Sequence, residues 1–257
     1  MYAIVLLTVK PTQKTIDFFQ KLKKKNYDLY ICVDDNDYIL PNYDKSLVNI
    51  IKFDDEIPKK YGYYGSVSYC ENRACSRDKA LYYFCEINKT YDYVWHIEDD
   101  VFIPSIDTIK NIDLKYPTGD LLSASNQNYN DSIDWYHWYK IENKIEKPWY
   151  RSMICAIRTS RELLKSISQF VSKNKYLLFC EVLFNTIAMH NNLKVINPPE
   201  LKYITWKDTF KLEEMNISKL YHPVKDIDLQ YKYRTIMNDY IIDKFTNINY
   251  IIPYFRQ

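Results

Sequence analysis

Apolar and polar positions along this chain switch repeatedly between two periods. Tyr2–Val9 is a nearly unbroken apolar run of strand length, which predicts a buried first strand. Thr15 to Lys25 then shows helical spacing, Tyr27–Val33 reads as a second strand, and Leu47–Phe53 as a third. From Ser66 to Asn88 the spacing is helical again, with Val67, Cys70, Ala74, Leu81 and Phe84 along one stripe. Tyr91–Ile97 and Leu121–Ala124 are further strands. Asp131–Arg151 is an aromatic, charged insert without a clear period. Met153–Ile157 is a short strand, and Thr159-Ser-Arg-Glu162 matches a capping box opening a helix. Leu177–His190 predicts a strongly apolar helix, Lys194–Ile196 another strand, and Lys232–Phe245 a last helix. Strands alternating with helices predict an α/β fold: a doubly wound, mostly parallel sheet with helices on both faces. The expected division is a domain over 1–225, with 226–257 as a C-terminal extension packed on it.

Composition narrows the classes of function. The 257 residues fit one large domain, and 35 Lys+Arg against 33 Asp+Glu leave a net charge of +2. That balance gives no strong overall positive field, so nucleic acid is not an expected partner. Six cysteines (Cys32, Cys70, Cys75, Cys85, Cys155, Cys180) form no CxxC pair and sit largely in apolar runs, as reduced, buried thiols do. Met1–Val9 has no basic residue before it, and no stretch reaches the roughly 18–20 apolar residues of a membrane span. A soluble, cytoplasmic protein is the expectation.

Three glycines, Gly62, Gly65 and Gly119, build neither a GxGxxG nor a GxxxxGK[ST] phosphate cradle. If a nucleoside diphosphate binds here, something else must neutralise its phosphates, and a divalent cation on carboxylates is the natural substitute. The run Tyr91-Asp-Tyr-Val-Trp-His-Ile-Glu-Asp-Asp-Val-Phe-Ile-Pro104 offers such carboxylates, because an apolar strand leads straight into Glu98, Asp99 and Asp100. Acids so flanked are costly unless paired or bound to metal, although a solvated turn also uses Asp-Asp. Cys32-Val-Asp34-Asp35 ends a second strand the same way. Asp34 is then either a turn acid or a contact to ribose or base.

Further charges stand in apolar surroundings. Arg77 lies within the helical stripe, with Asp78 beside it and Arg73 one turn away. It either pairs with Asp78 or Asp100, or approaches a nucleotide together with Arg73. Glu181 is the one charge between Lys175 and Lys194, neutral histidine aside. Burial raises a carboxyl pKa and suits it to accept a proton, while pairing with an arginine is the structural alternative. His96 falls within the acidic strand and His190 at the end of the apolar helix. The insert carries Trp135, Trp138 and Trp149, whose flat faces suit sugar rings or a packed hairpin equally.

The strand ending in Glu98-Asp99-Asp100, placed after two βα units and a helix, resembles the acidic DxD-type motif of GT-A nucleotide-sugar glycosyltransferases, including enzymes encoded by large DNA viruses. The resemblance covers Tyr2 to Lys225. It implies a GT-A-like fold, a Mn²⁺ or Mg²⁺ cofactor on Asp100, and Glu98 at the donor ribose, with Asp99 beside them in the donor site. His222, in Leu220-Tyr-His-Pro-Val-Lys225, resembles the late metal-binding histidine of these enzymes, and Lys225 then reaches a phosphate. Glu181 takes the place of the catalytic base of inverting members, and Val182 replaces their usual second acid. A nucleotide-sugar donor, with UDP by family habit, and a glycan or other hydroxyl acceptor follow. So does a host-cytoplasmic location if the chain is viral. Three other readings compete: a sugar-nucleotidyltransferase, although Leu7-Thr-Val-Lys-Pro11 lacks its glycine-rich basic loop; a lectin-like module using the aromatic insert; and a metal-dependent phosphoesterase.

Overall fold

The computed structural model describes residues 1–67, 72–105 and 107–237. Seven strands form one sheet: β1 (Tyr2–Thr8), β2 (Tyr27–Val33), β3 (Val48–Ile51), β4 (Tyr93–Glu98), β5 (Leu121–Asn128), β6 (Tyr150–Ser160) and β7 (Val195–Ile196), in the spatial order β3-β2-β1-β4-β6-β5-β7. The β1–β2, β1–β4, β2–β3 and β5–β7 ladders are parallel, and β6 runs antiparallel to β4 and β5. The expected doubly wound, mostly parallel sheet is therefore what the chain forms.

Side-chain alternation along β1 explains how two layers of helix are held. Ala3, Val5 and Leu7 face one core, and Ile4 and Leu6 face the other. The first core is closed by α3 (Ser76–Tyr82), α5 (Arg161–Asn174) and α6 (Cys180–His190). Helices α1 (Gln13–Gln20) and α4 (Thr108–Lys115) cover the second, through Ile16, Phe19, Ile109 and Ile112. A short α2 (Glu56–Lys60) precedes α3. Under the second face, Arg158 donates to Asp113 (2.6 Å), which also accepts from Tyr27 (2.6 Å) and Trp95, a fully enclosed polar knot. A separate small ladder pairs β8 (Tyr203–Ile204) in parallel with β9 (Tyr221–His222).

Several expected boundaries move. The helix read from Ser66 begins at Ser76 instead, with Asp78 accepting from the Cys75 amide (3.2 Å), and a π-helical turn, Tyr83–Ile87, follows it. Val67 and Arg73 thus lie in the preceding loop, and Cys70 lies outside the described residues. Ser160, not Thr159, caps α5 by accepting from the Leu163 amide (3.1 Å). Thr159 is still in β6, opposite Val94, and spends its hydroxyl on the Val94 carbonyl. Helix α6 starts at Cys180, so Leu177–Phe179 is an extended lead-in. Of the expected helix Lys232–Phe245, residues 232–237 belong to a helical segment over 227–237, and 238–245 lie outside the described residues. The five described cysteines are free and buried. No described helix is long and apolar enough to cross a membrane.

Candidate metal and donor site

The strand order reverses between β1 and β4, and the crevice beyond their carboxyl ends is where an open α/β sheet places ligands. Thr8 ends β1, Asp34 follows β2, and Glu98, Asp99 and Asp100 leave β4 at this edge. A cleft of about 160 Å³ opens there, lined by these residues together with Cys75, Ser76 and Arg77 from the start of α3. Four of the sequence candidates therefore meet in one place: Arg77, Glu98, Asp99 and Asp100, with Asp34 at the margin.

His222 is brought to the same acids from 122 residues further along the chain. Strand β9 carries it in, the Val224 amide donates to the Asp100 carbonyl (2.8 Å), and Phe102 and Tyr221 exchange both backbone hydrogen bonds. Its Nδ1 lies 2.6 Å from the Thr205 carbonyl oxygen. That contact places the ring proton on Nδ1 and turns Nε2 toward the acids. Nε2 stands 3.1 Å from Asp100 Oδ1 and 3.7 Å from Glu98 Oε2. Burial works against the imidazolium, but the hydrogen bond and charge of Asp100 outweigh it and raise the pKa.

Two carboxylates and a neutral imidazole nitrogen, its other nitrogen held by a carbonyl, form the oxygen-and-nitrogen set that Mn²⁺ accepts. Cys155, on β6 beside β4, adds a buried thiol: one ligand atom each from Glu98, Cys155 and His222 lies within 4.8 Å of the others. The residues present fit such an ion.

The other acids divide into anchors and free groups. Asp99 accepts from the Thr8 hydroxyl (2.5 Å), and its main-chain carbonyl accepts from Gln230 Nε2 (3.1 Å). Its side chain opens to solvent, yet enough protein surrounds the carboxyl for desolvation to push its pKa upward. Asp34 is 2% exposed, and desolvation raises its pKa against the attraction of Arg73 and Lys79. Arg73 donates to it (2.9 Å), and the fully buried Lys79 donates to its main-chain carbonyl (2.6 Å) and pairs with Asp55 (2.7 Å). A turn acid would be solvated. Asp34 instead organises a charged cluster.

Arg77, 3% exposed, donates to Glu98 (2.5 Å) and to the Ile154 carbonyl (3.3 Å). Its partner is thus neither Asp78, which caps its own helix, nor Asp100. Burial disfavours its charge, and Glu98 more than restores it, so the pKa rises. Arg73 does not share a helix with Arg77; it lies in the loop ahead of α3, on Asp34. Lys225 is exposed beyond β9 and reaches the site through its neighbour Val224 alone.

Glu181 occupies the first turn of α6, which the Cys180 amide ties to the Ser66 carbonyl (2.7 Å). Its carboxyl is partly buried and, among the described residues, accepts no hydrogen bond and forms no ion pair. Desolvation raises its pKa, with Arg151 and Arg77 pulling it down and Glu98 pushing it up. Arg151, Arg77 and Glu98 are thus near enough for their charges to act on it. Of the insert's tryptophans, Trp138 and Trp149 turn inward at 5% and 8% exposure.

Sequence reasoning missed Thr8, Cys155, Thr205 and Gln230. Each acts across a ladder, from a distant loop or, for Gln230, from a distant helical segment, and none carries a local signature.

No family model matches the sequence, and no curated protein matches it. Among solved structures, the chain is similar to the galactosyltransferase LgtC in complex with donor and acceptor sugar analogues, at TM-score 0.47 and 8% identity over 91% of this chain and 95% of that one. It is also similar to the bifunctional glycosyltransferase WbbM (TM-score 0.41, 10% identity, 78% of this chain and 39% of that one). For mouse xyloside xylosyltransferase 1 the TM-score is 0.37, at 9% identity over 77% of this chain and 84% of that one. Superpositions this loose assign neither a family nor an activity.

Proposed function

We propose that this chain is a metal-dependent glycosyltransferase that moves a sugar from a nucleoside diphosphate donor, UDP first among them, to a hydroxyl of a glycan or other acceptor. The observation that carries the reading is the convergence of His222 Nε2 on Asp100 (3.1 Å) and Glu98 (3.7 Å) at the sheet's switch point. In a cleft without glycine-rich loops, a cation on carboxylates is a natural way to neutralise a diphosphate.

Glu98, Asp100 and His222 would hold the cation, Mn²⁺ or Mg²⁺, and Asp99, anchored by Thr8, keeps the motif in place. When bound, the cation offsets negative charge on the diphosphate as it leaves. Thr205 fixes the imidazole tautomer that can ligate, and Arg77 orients Glu98. Asp34 lines the cleft, with Arg73 on it, where a ribose or base would sit, and Lys225, next to Val224, would reach for a phosphate.

Glu181 is the proposed general base. Among the described residues it accepts no hydrogen bond, and burial raises its pKa against the pull of Arg151 and Arg77. An acceptor hydroxyl donating to it would become the nucleophile, and direct displacement would invert the anomeric carbon.

Transfer assays with a panel of nucleotide sugars test this. Glu181→Gln is expected to keep donor binding and lose transfer by about 10²-fold or more. Transfer at wild-type rate would remove Glu181 from the chemistry, and retained anomeric configuration in the product would exclude direct displacement.

A further inference from the structure

Oxygen and nitrogen are not the only metal-binding atoms at the switch point. Cys155 lies on β6, where the β4–β6 register ends at Ile97 opposite Ala156. The next residues along the two strands are Glu98 and Cys155, so strand pairing brings carboxylate and thiol side by side. Cys155 is 3% exposed, and one ligand atom each from Glu98, Cys155 and His222 lies within 4.8 Å of the others. Ligand atoms that share one ion at roughly 2.0–2.3 Å stand about 3.3–3.8 Å apart in a tetrahedron. The three are within a side-chain adjustment of that spacing.

Two of the three are already oriented by neighbours. Arg77 occupies Glu98 Oε1, which leaves Oε2 3.7 Å from His222 Nε2. The Thr205 carbonyl engages Nδ1 of the imidazole, so Nε2 is the nitrogen left to ligate. Cys155 and His222 are buried, whereas the Glu98 and Asp100 carboxylates are partly exposed and line the cleft. An ion entering from the cleft meets oxygen first, and nitrogen and sulfur last. Softness then decides which ion the set favours. Mg²⁺ takes oxygen ligands in near-ideal octahedral geometry and has no use for a thiol. Zn²⁺ binds thiolate, imidazole and carboxylate alike.

We infer that Cys155 is a ligand of the cation, and that the site therefore takes a thiophilic divalent ion, Zn²⁺ first, ahead of Mn²⁺ and Mg²⁺. The inference rests on the proposed cation site for its location and adds the sulfur, which sets the choice of ion. Binding breaks the S–H bond, forms a sulfur–metal bond and releases the proton to solvent. Mn²⁺ still binds, through the oxygen and nitrogen ligands.

The test is X-ray absorption at the zinc edge on the full chain with one equivalent of Zn²⁺, alongside Zn²⁺ and Mn²⁺ affinities measured by competition with a chromophoric chelator. The wild-type chain is expected to show a sulfur shell at about 2.3 Å, distinct from nitrogen and oxygen at about 2.0–2.2 Å. In Cys155→Ala that shell should vanish. Zn²⁺ affinity should fall by about tenfold or more, and Mn²⁺ affinity should change by less than about threefold. The contrast between the ions is what counts, because Zn²⁺ outranks Mn²⁺ on most ligand sets with or without sulfur. Cys155→Ser takes the place of the alanine variant if that one does not fold. No sulfur shell in the wild-type chain, a shell that persists without Cys155, or equal losses for both ions would overturn the inference. Titration of UDP into the Mn²⁺-loaded chain separates the two claims. Nucleotide binding with no zinc–sulfur shell rejects the thiol ligand alone. A Cys155-dependent shell without any nucleotide binding keeps the metal site and rejects the donor site.

Discussion

Two buried arginines show how similar residues serve different ends. Arg158 and Asp113 are 0% and 3% exposed, far from the cleft, and Arg77 sits on Glu98 at its floor. Removing one partner of a fully enclosed pair leaves a charge without compensation, at a cost of about 3 kcal/mol or more. Arg158→Met should therefore lower the melting temperature by roughly 6–12 °C while the folded fraction binds nucleotide normally. Arg77→Met should cost less stability, because Glu98 is 32% exposed and water can relieve it, yet should weaken Mn²⁺ and nucleotide binding clearly. Calorimetry on both variants checks the contrast, and an Arg77→Met chain with unchanged cation affinity would make that residue purely structural. The sequence raised Arg77 for a sound reason, a charge in an apolar stripe. It could not name Glu98 as the partner, because strand and helix meet through the fold and not through spacing.

At the scale of elements, the acidic motif is held from several sides by pieces far apart in the chain. Strand β9 delivers His222, and the helical segment over 227–237 braces the motif from behind. There the buried Gln230 donates to the carbonyls of Asp99 (3.1 Å) and Val224 (2.8 Å), and Arg234 donates to the Ile103 carbonyl (3.0 Å). Gln230→Ala leaves two carbonyls without their donor, which should cost about 1–3 kcal/mol and loosen cation binding. Lys14, paired with Asp228 on the exposed side of the same segment, is the control. Lys14→Ala should leave both stability and cation affinity nearly unchanged, since an exposed pair contributes little. If Gln230→Ala binds Mn²⁺ as wild type does, the segment is a bystander. None of this bracing was legible in sequence, where the pattern weakens after Tyr203: β8 and β9 are two residues each, too short to leave a period. The acids themselves were legible because an apolar strand running into three carboxylates is a local conflict that something must resolve.

Across the whole molecule, the α/β alternation and the positions of the first four strands along the chain could be read directly, since buried strands and amphipathic helices leave distinct periods. What escaped was the length of β5 and β6, whose polar ends pair beyond the apolar run, and the loop origin of Arg73. Both depend on neighbours in space. The proposed site draws on Thr8, Asp34, Glu98–Asp100, Cys155, Glu181 and His222, from strands, loops and a helix that only the folded sheet assembles. Its reading as a cation-dependent donor site makes a further claim about single ligands. His222→Ala should weaken Mn²⁺ less than Asp100→Ala does, because water can replace a neutral nitrogen more readily than a charge in a diphosphate site.

The most direct test of the central claim is a calorimetric titration of nucleoside diphosphates, UDP first, into the wild-type chain with Mn²⁺ and with the ion chelated. The account predicts saturable binding of at least one nucleotide with Mn²⁺, lost on chelation and lost in a folded Asp100→Ala chain. Binding that is indifferent to Mn²⁺, or that survives intact in Asp100→Ala, would contradict it.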